Sequence, residues 1–418
     1  MVQIRDCFYM KEQEQLIPHL FRTEFRKIVS VLSKLFGLQY IEVAEDIVSD
    51  TFLLAAETWG KKGIPENPTA WLYVVAKNKT KDYLKRNQLF NDKIALEIKN
   101  SASELTEMDI DLTDKNISDS QLQMMFAICH PSIPKEAQIG LSLRILCGFG
   151  IDEIADAFLA NKETINKRLF RAKEKLREEK IKMEFPENQE MEKRLESVVT
   201  TLYLLFNEGY YSASQNVTIR KDLCIEAMRL TVLLLDNTLT NKPSINALLS
   251  LMCFHASRFD ARIRSNGETV LYEEQDINLW DTGLIQRGEY YLNKAAIGNE
   301  LSKYHLEAAI AYWHTQKSDE AKWNNILQLY NKLLQIEYSP MAALNRTYAL
   351  AKAGSPMKAI IEAEKLDLTE NHLYHSLLGQ LYSDINKDKA IAHFKTALIK
   401  ARTESDRSVI QAKIDRLI

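Results

Sequence analysis

The sequence predicts an all-α protein, and three observations carry that expectation. Apolar residues recur at three- and four-residue spacing through most of the 418-residue chain, the period of one helix face. Leu, Ala, Glu and Lys fill long stretches, while only 13 glycines and 9 prolines interrupt them. The last hundred residues carry an echo in which Leu344, Tyr348, Ala359 and Ala363 parallel Leu378, Tyr382, Ala390 and Phe394, large residues on one helix facing small ones on the next.

In chain order, residues 16–59 read as two or three helices. They end at TWGKKGIPENP, where Gly60, Gly63, Pro65 and Pro68 impose a loop. A helix follows in NPTAWLYVVAKNKTKDYLKR and completes a first domain over 1–90. Residues 91–118 hold seven acids and three lysines with little periodicity, the composition of a flexible acidic tether. Helical patterning resumes at about Asp119 and runs to Met183, and FPENQ marks the boundary with a third, larger helical region over 190–418, repeat-like from about 300. The longest apolar runs, TLYLLF and LTVLLLD, fall short of the ~20 residues of a membrane span. The start lacks a signal-peptide core, so a cytoplasmic protein without a membrane partner is expected. Five cysteines, with no CxxC pair, predict buried thiols and neither zinc nor a disulfide framework.

Two helices carry cations out of proportion to a formal net charge of -3. In the first, Leu72, Val75, Ala76, Thr80 and Tyr83 share one half of the helix surface and Lys77, Lys81 and Lys85 line the other. Such a stripe is also the pattern of a solvated lysine face. Here Pro65 and Pro68 stiffen the preceding loop, while Asn67 and Trp71 offer a polar amide and a flat ring for an unstacked base.

The second lies in IDEIADAFLANKETINKRLFRAKEKL, laid out as a helix-turn-helix. Ile151, Ile154, Ala155 and Phe158 form one inner face, and Ile165, Leu169, Ala172 and Leu176 the other. Thr164, Lys167, Arg168, Arg171 and Lys175 face outward, where long cationic side chains reach phosphates and base edges in a major groove. An ordinary helical hairpin with a polar surface has the same layout, and Leu159 stands where such turns often have Gly.

Farther on, Glu208, His255, Arg258, Asp260, Arg262 and Asp276 read first as a structural network of salt bridges and hydrogen bonds, because buried charges are rarely left unpaired. A ligand or partner pocket is the second reading. No spacing among them fits a nucleophile triad, a phosphate loop or a metal site, so neither catalysis nor a cofactor is expected.

With AEDIVSDTFLLAAETW upstream, these basic helices and the tether between them make the first 183 residues resemble a sigma-70 family sigma factor of the extracytoplasmic-function group. The resemblance implies that Glu45, Asp46 and Asp50 face the basic clamp helices of the polymerase β' subunit with Phe52 as apolar anchor. It places a further contact on the β flap. It assigns Asn67, Trp71, Lys77, Lys81, Lys85 and Arg86 to recognition and melting of the −10 element. It assigns the helix-turn-helix, with Thr164, Lys167, Arg168, Arg171 and Lys175, to the −35 element. Lys79 and Lys81 depart from the apolar or small residues usual there. The remainder resembles a subgroup with a tetratricopeptide-like C-terminal extension, through phrases such as LYLLFNEGYYS, LLSLMCFHASRFDAR and YHLEAAIAYWH. That extension is expected to regulate the factor through a partner protein or a small ligand. The rival expectations are a ligand-sensing helix-turn-helix regulator that needs no polymerase, and a peptide-binding scaffold.

Overall fold

The computed structural model describes residues 2–90, 110–158, 160–210, 220–263, 270–316, 320–401 and 403–418. Among them 77% are helical, there are 18 helices and no strand, and the all-α expectation holds. The chain divides into two units, one of residues 1–156 and 160–201, the other of 157–159 and 202–418.

The first unit opens with α1 (Val2–Phe36), α2 (Ile41–Lys62) and α3 (Pro68–Phe90). Gly37 ends α1 at φ 92°, and its N–H donates to the Ser33 carbonyl at 2.8 Å. Gly63 ends α2 in the same manner at φ 86°, a conformation that costs glycine little. Pro68 then sits in the first turn of α3, where its missing N–H is harmless. Ile28, Val29, Leu32, Ala44, Val48, Ala55, Trp59, Leu72 and Ala76 are buried, the apolar stripes that the spacing predicted.

The tether differs from expectation at its end. Residues 91–109 lie outside the described residues, but Ile110 and Leu112 are buried, and Thr113 caps a helix that starts at Asp114 rather than at about Asp119. Two apolar residues in an acidic run suffice to anchor it, a signal that the charge count hid.

The two segments read as a helix-turn-helix are the helices Ile151–Ala157 and Lys162–Glu178. Ile154, Ala155, Ile165, Leu169, Ala172 and Leu176 are buried as predicted. The small residue that permits close approach is Gly140, on the preceding helix Lys135–Leu141, where an added Cβ would lie 2.8 Å from Leu169.

The helix Asn188–Tyr210 does not begin a new unit at 190. Ser197 donates to the Cys129 carbonyl at 2.9 Å, Thr201 to Gln138 at 2.8 Å and Arg194 to the Phe126 carbonyl at 2.8 Å. The FPENQ segment is a bend within the first unit, and the division falls after Thr201.

In the second unit the helix Pro243–Ala256 is buried almost all round, as its lack of a polar face demands. Near the C-terminus, helices Pro340–Lys352, Pro356–Glu364, His372–Tyr382 and Lys387–Lys400 form successive hairpins. Leu344, Ala359, Ala363, Leu378, Tyr382, Ala390 and Phe394 share one core, so the echo marks packing positions. Tyr348 departs from it and donates to Glu273 at 2.9 Å. Gly379 lies so close to Phe394 that an added Cβ would be 2.7 Å from its ring. Gly379→Ala is therefore expected to destabilise this unit by about 1–3 kcal/mol despite the better helix propensity of Ala. Chemical denaturation of the full chain measures it; an unchanged or raised midpoint would disprove the close contact.

Candidate nucleic-acid interface

Starting at the loop before α3, Asn67 is the helix cap: its Oδ1 accepts the Ala70 N–H at 2.9 Å. One lone pair of that oxygen is thus engaged, leaving the other and the amide nitrogen for a base. Trp71 is half-buried, edge-on to Trp59 with centroids 5.3 Å apart, so part of its ring faces out.

Along α3, Leu72, Ala76 and Thr80 are buried, and Tyr83 packs edge-on to Phe36 at 5.7 Å. The expected cationic stripe is unevenly exposed. Lys85 and Arg86 stand in solvent, while Lys77 and Lys81 are half-buried. Asp111, at the anchored end of the tether, lies where Lys77 and Lys34 act on it electrostatically. Its carboxyl is held below the usual range, first by the Thr113 N–H and hydroxyl and then by those lysines. Lys79 projects from the other flank and reaches Asp50 at 3.7 Å. The two residues that departed from the family pattern, Lys79 and Lys81, are both accommodated at the edge of the buried face.

The acidic segment on α2 is sorted by the helix into two faces. Glu45 is paired with Arg26 at 2.6 Å in a largely buried bridge, and Phe52 is 5% exposed, packed on Phe21 and Phe25 at 5.2 and 6.1 Å. Phe52 therefore belongs to the interior, and Glu45 is tied to Arg26 at its edge. Asp46 and Asp50 remain in solvent, and the register adds Leu53, Leu54 and Glu57 beside them, with Leu53 60% exposed. Positions i, i+4, i+7, i+8 and i+11 make one helical surface, acidic with an apolar centre. The sequence held this signal in the two adjacent leucines, which the choice of the larger Phe52 obscured.

In the second basic helix, Asn161 caps the start by accepting the Thr164 N–H at 2.7 Å. Lys167, Arg171 and Lys175 are exposed and Arg168 is half-exposed. Lys167 is bridged to Glu163 at 2.6 Å and Lys175 to Glu179 at 2.9 Å, both one turn away. Such solvated pairs are worth only a few tenths of a kcal/mol, so these cations exchange partners easily. Phe170, 65% exposed between them, is an apolar residue that the charge pattern missed. It has the chemistry to contact a thymine methyl. On the neighbouring face, Lys173 bonds Glu42 at the start of α2 at 2.7 Å, beside a cleft lined by Leu38, Ile41, Ile145 and Leu176.

The polar cluster of the second unit is only half assembled. His255, Arg258 and Arg262 gather on Tyr210: the His255 ring is 4.5 Å away, Arg262 lies 4.1 Å over its face, and Arg258 reaches its hydroxyl at 3.4 Å. Asp260 instead turns to Lys221, and Asp276 accepts the Asn278 N–H at 2.9 Å to close a turn. Glu208 is half-buried, and burial raises its carboxyl above the usual range. Asp260 and Asp276 thus take partners outside the cluster.

Residues 20–90 match the model of sigma-70 region 2, and residues 194–296 match that of a family of unknown function, DUF6596. An uncharacterized protein of Rhizobium meliloti is 31% identical over 386 residues, spanning 90% of this chain and 90% of that protein. No solved structure matches.

Proposed function

We propose, from the premise that this chain belongs to the sigma-70 family of RNA polymerase sigma factors, that it directs the polymerase to two-part promoters as a member of the extracytoplasmic-function group. The observation that carries this reading is the solvent face of Asp46, Asp50, Leu53, Leu54 and Glu57 on α2, inside the region 2 match. It has the acid-and-apolar chemistry that basic helices such as those of the β' clamp would meet.

In this reading α3 binds and melts the −10 element. Trp71 stacks on a displaced base, and Lys77, Lys81, Lys85 and Arg86 hold the backbone, offsetting a few kcal/mol of unstacking. The helix Lys162–Glu178 reads the −35 element in the major groove, where a bidentate pair from Arg168 or Arg171 to guanine supplies roughly 1–3 kcal/mol of discrimination. Phe170 joins them through apolar contact. The region after Thr201 regulates the factor, and its hairpins are tetratricopeptide-like. No helix among the described residues is long and apolar enough to cross a membrane.

Transcription with purified core polymerase, the full chain and a promoter taken from upstream of its own gene tests the reading. Initiation that depends on the chain is expected, and Arg171→Ala should lower it while relaxing preference at one −35 position. No dependence on the chain would favour the polymerase-independent regulator.

A further inference from the structure

Arg258 follows the buried helix Pro243–Ala256 and is only 7% exposed. Its Nη2 donates a long 3.4 Å bond to the Tyr210 hydroxyl, its guanidinium lies 5.5 Å from the Tyr272 ring centre, and its buried Nε has no hydrogen-bond partner. Among the described residues it makes no ion pair. The described acids close to it in sequence are engaged elsewhere: Asp260 with Lys221, Glu273 with Lys352 and Tyr348, Glu274 with Arg416, and Asp276 with the Asn278 backbone.

Two more polar atoms around the same tyrosine are buried without partners. Trp280 stacks on Tyr272 at 6.4 Å with its Nε1 unpaired, and His314 stands edge-on at 4.9 Å with its Nδ1 unpaired. Lys322, also buried, donates to the Tyr272 hydroxyl at 2.9 Å and to the Gln316 carbonyl at 2.7 Å. The local potential is positive. Burial, then Arg258 and Lys322, bring His314 down to about 3, and burial, then Arg258 and Arg262, hold His255 well below the usual range. Neutral imidazoles lower the local charge but supply no counter-ion. A desolvated guanidinium in such a field is costly unless an anion meets it.

We propose that this site, centred on Tyr272, binds the carboxylate of a small molecule on the Nε and Nη2 edge of Arg258, with Trp280 Nε1 and His314 as further partners. The planar fork of Arg matches a carboxylate bidentately, and the walls of Tyr210, Tyr272 and Trp280 suit a flat organic body. A phosphate dianion would present more oxygens than these donors can satisfy. The proposal stands whether or not the chain acts with polymerase, because its test reads binding alone.

Thermal unfolding of the full chain is followed in sodium acetate and sodium benzoate against sodium chloride and sodium phosphate at equal ionic strength. Acetate or benzoate at about ten times its Kd should raise the Tm of the second unit by roughly 3–6 °C over chloride. Arg258→Met should abolish that rise while leaving the Tm in chloride equal or higher, since an unpaired buried cation is removed. Arg258→Lys, which keeps the charge and loses the fork, should fold and show a smaller rise. The proposal is overturned if no carboxylate shifts the Tm, if Arg258→Met keeps the shift, if phosphate alone produces it, or if Arg258→Met unfolds several degrees earlier in chloride.

Discussion

Phe52→Ala is expected to destabilise the first unit by about 3–5 kcal/mol, whereas the same truncation one residue later, Leu53→Ala, leaves its stability within ~0.5 kcal/mol. Phe52 fills the space between Phe21 and Phe25, and its removal leaves a cavity that α1 and α2 cannot collapse; Leu53 stands in solvent. In a unit of this size the first change lowers Tm by roughly 6–20 °C. Affinity for core polymerase is expected to follow the opposite order. Leu53→Ala combined with Asp50→Lys should weaken binding at least tenfold, about 1.4 kcal/mol, with an unchanged melting curve. Calorimetry together with fluorescence titration of core polymerase separates the two effects. Wild-type affinity in the double variant would remove α2's solvent face from the docking surface.

The second large effect belongs to α3. Lys77, Lys81 and Lys85 changed together to Ala should reduce the salt dependence of promoter binding by about 2.7 units of log K against log salt on duplex DNA, 0.9 for each phosphate that is no longer neutralised. Between ~50 and ~200 mM salt that amounts to a relative change of about 40-fold. Opening, read from a fluorescent base analogue in the −10 element, should slow in parallel. If the three lysines were only a solvated face, neither quantity would move.

The fold was largely legible because helix period and Gly or Pro punctuation are local signals. The buried stripes of the helix-turn-helix and the ends of α1 and α2 follow from them directly. What escaped depended on residues distant in sequence. Glu45 looks like any acid of the segment until Arg26 is seen beside it, and Phe52 like an anchor until α1 covers it. The boundary after Thr201 rests on hydrogen bonds to Gln138, 63 residues earlier, which no composition shift announces. Arg258 was expected in a network with Asp260 and Asp276 because buried charges are rarely left unpaired, but both of those side chains go to other partners.

The bond from Lys173 to Glu42 sets a limit on reach. Promoter elements named −10 and −35 lie about 25 base pairs apart, roughly 85 Å along the duplex at ~3.4 Å per step. The helix α2 has 22 residues and is therefore about 33 Å long, and Lys173 is tied to its first turn. On the proposed reading, the tie holds Lys173 within about one turn of DNA of the far end of α2, short of the distance between the two elements. The tie is weak, a bridge whose Glu42 is 56% exposed and so worth about 0.2–1 kcal/mol. On that reading a free factor would engage one element at a time, with extension to promoter length left to the polymerase that holds it.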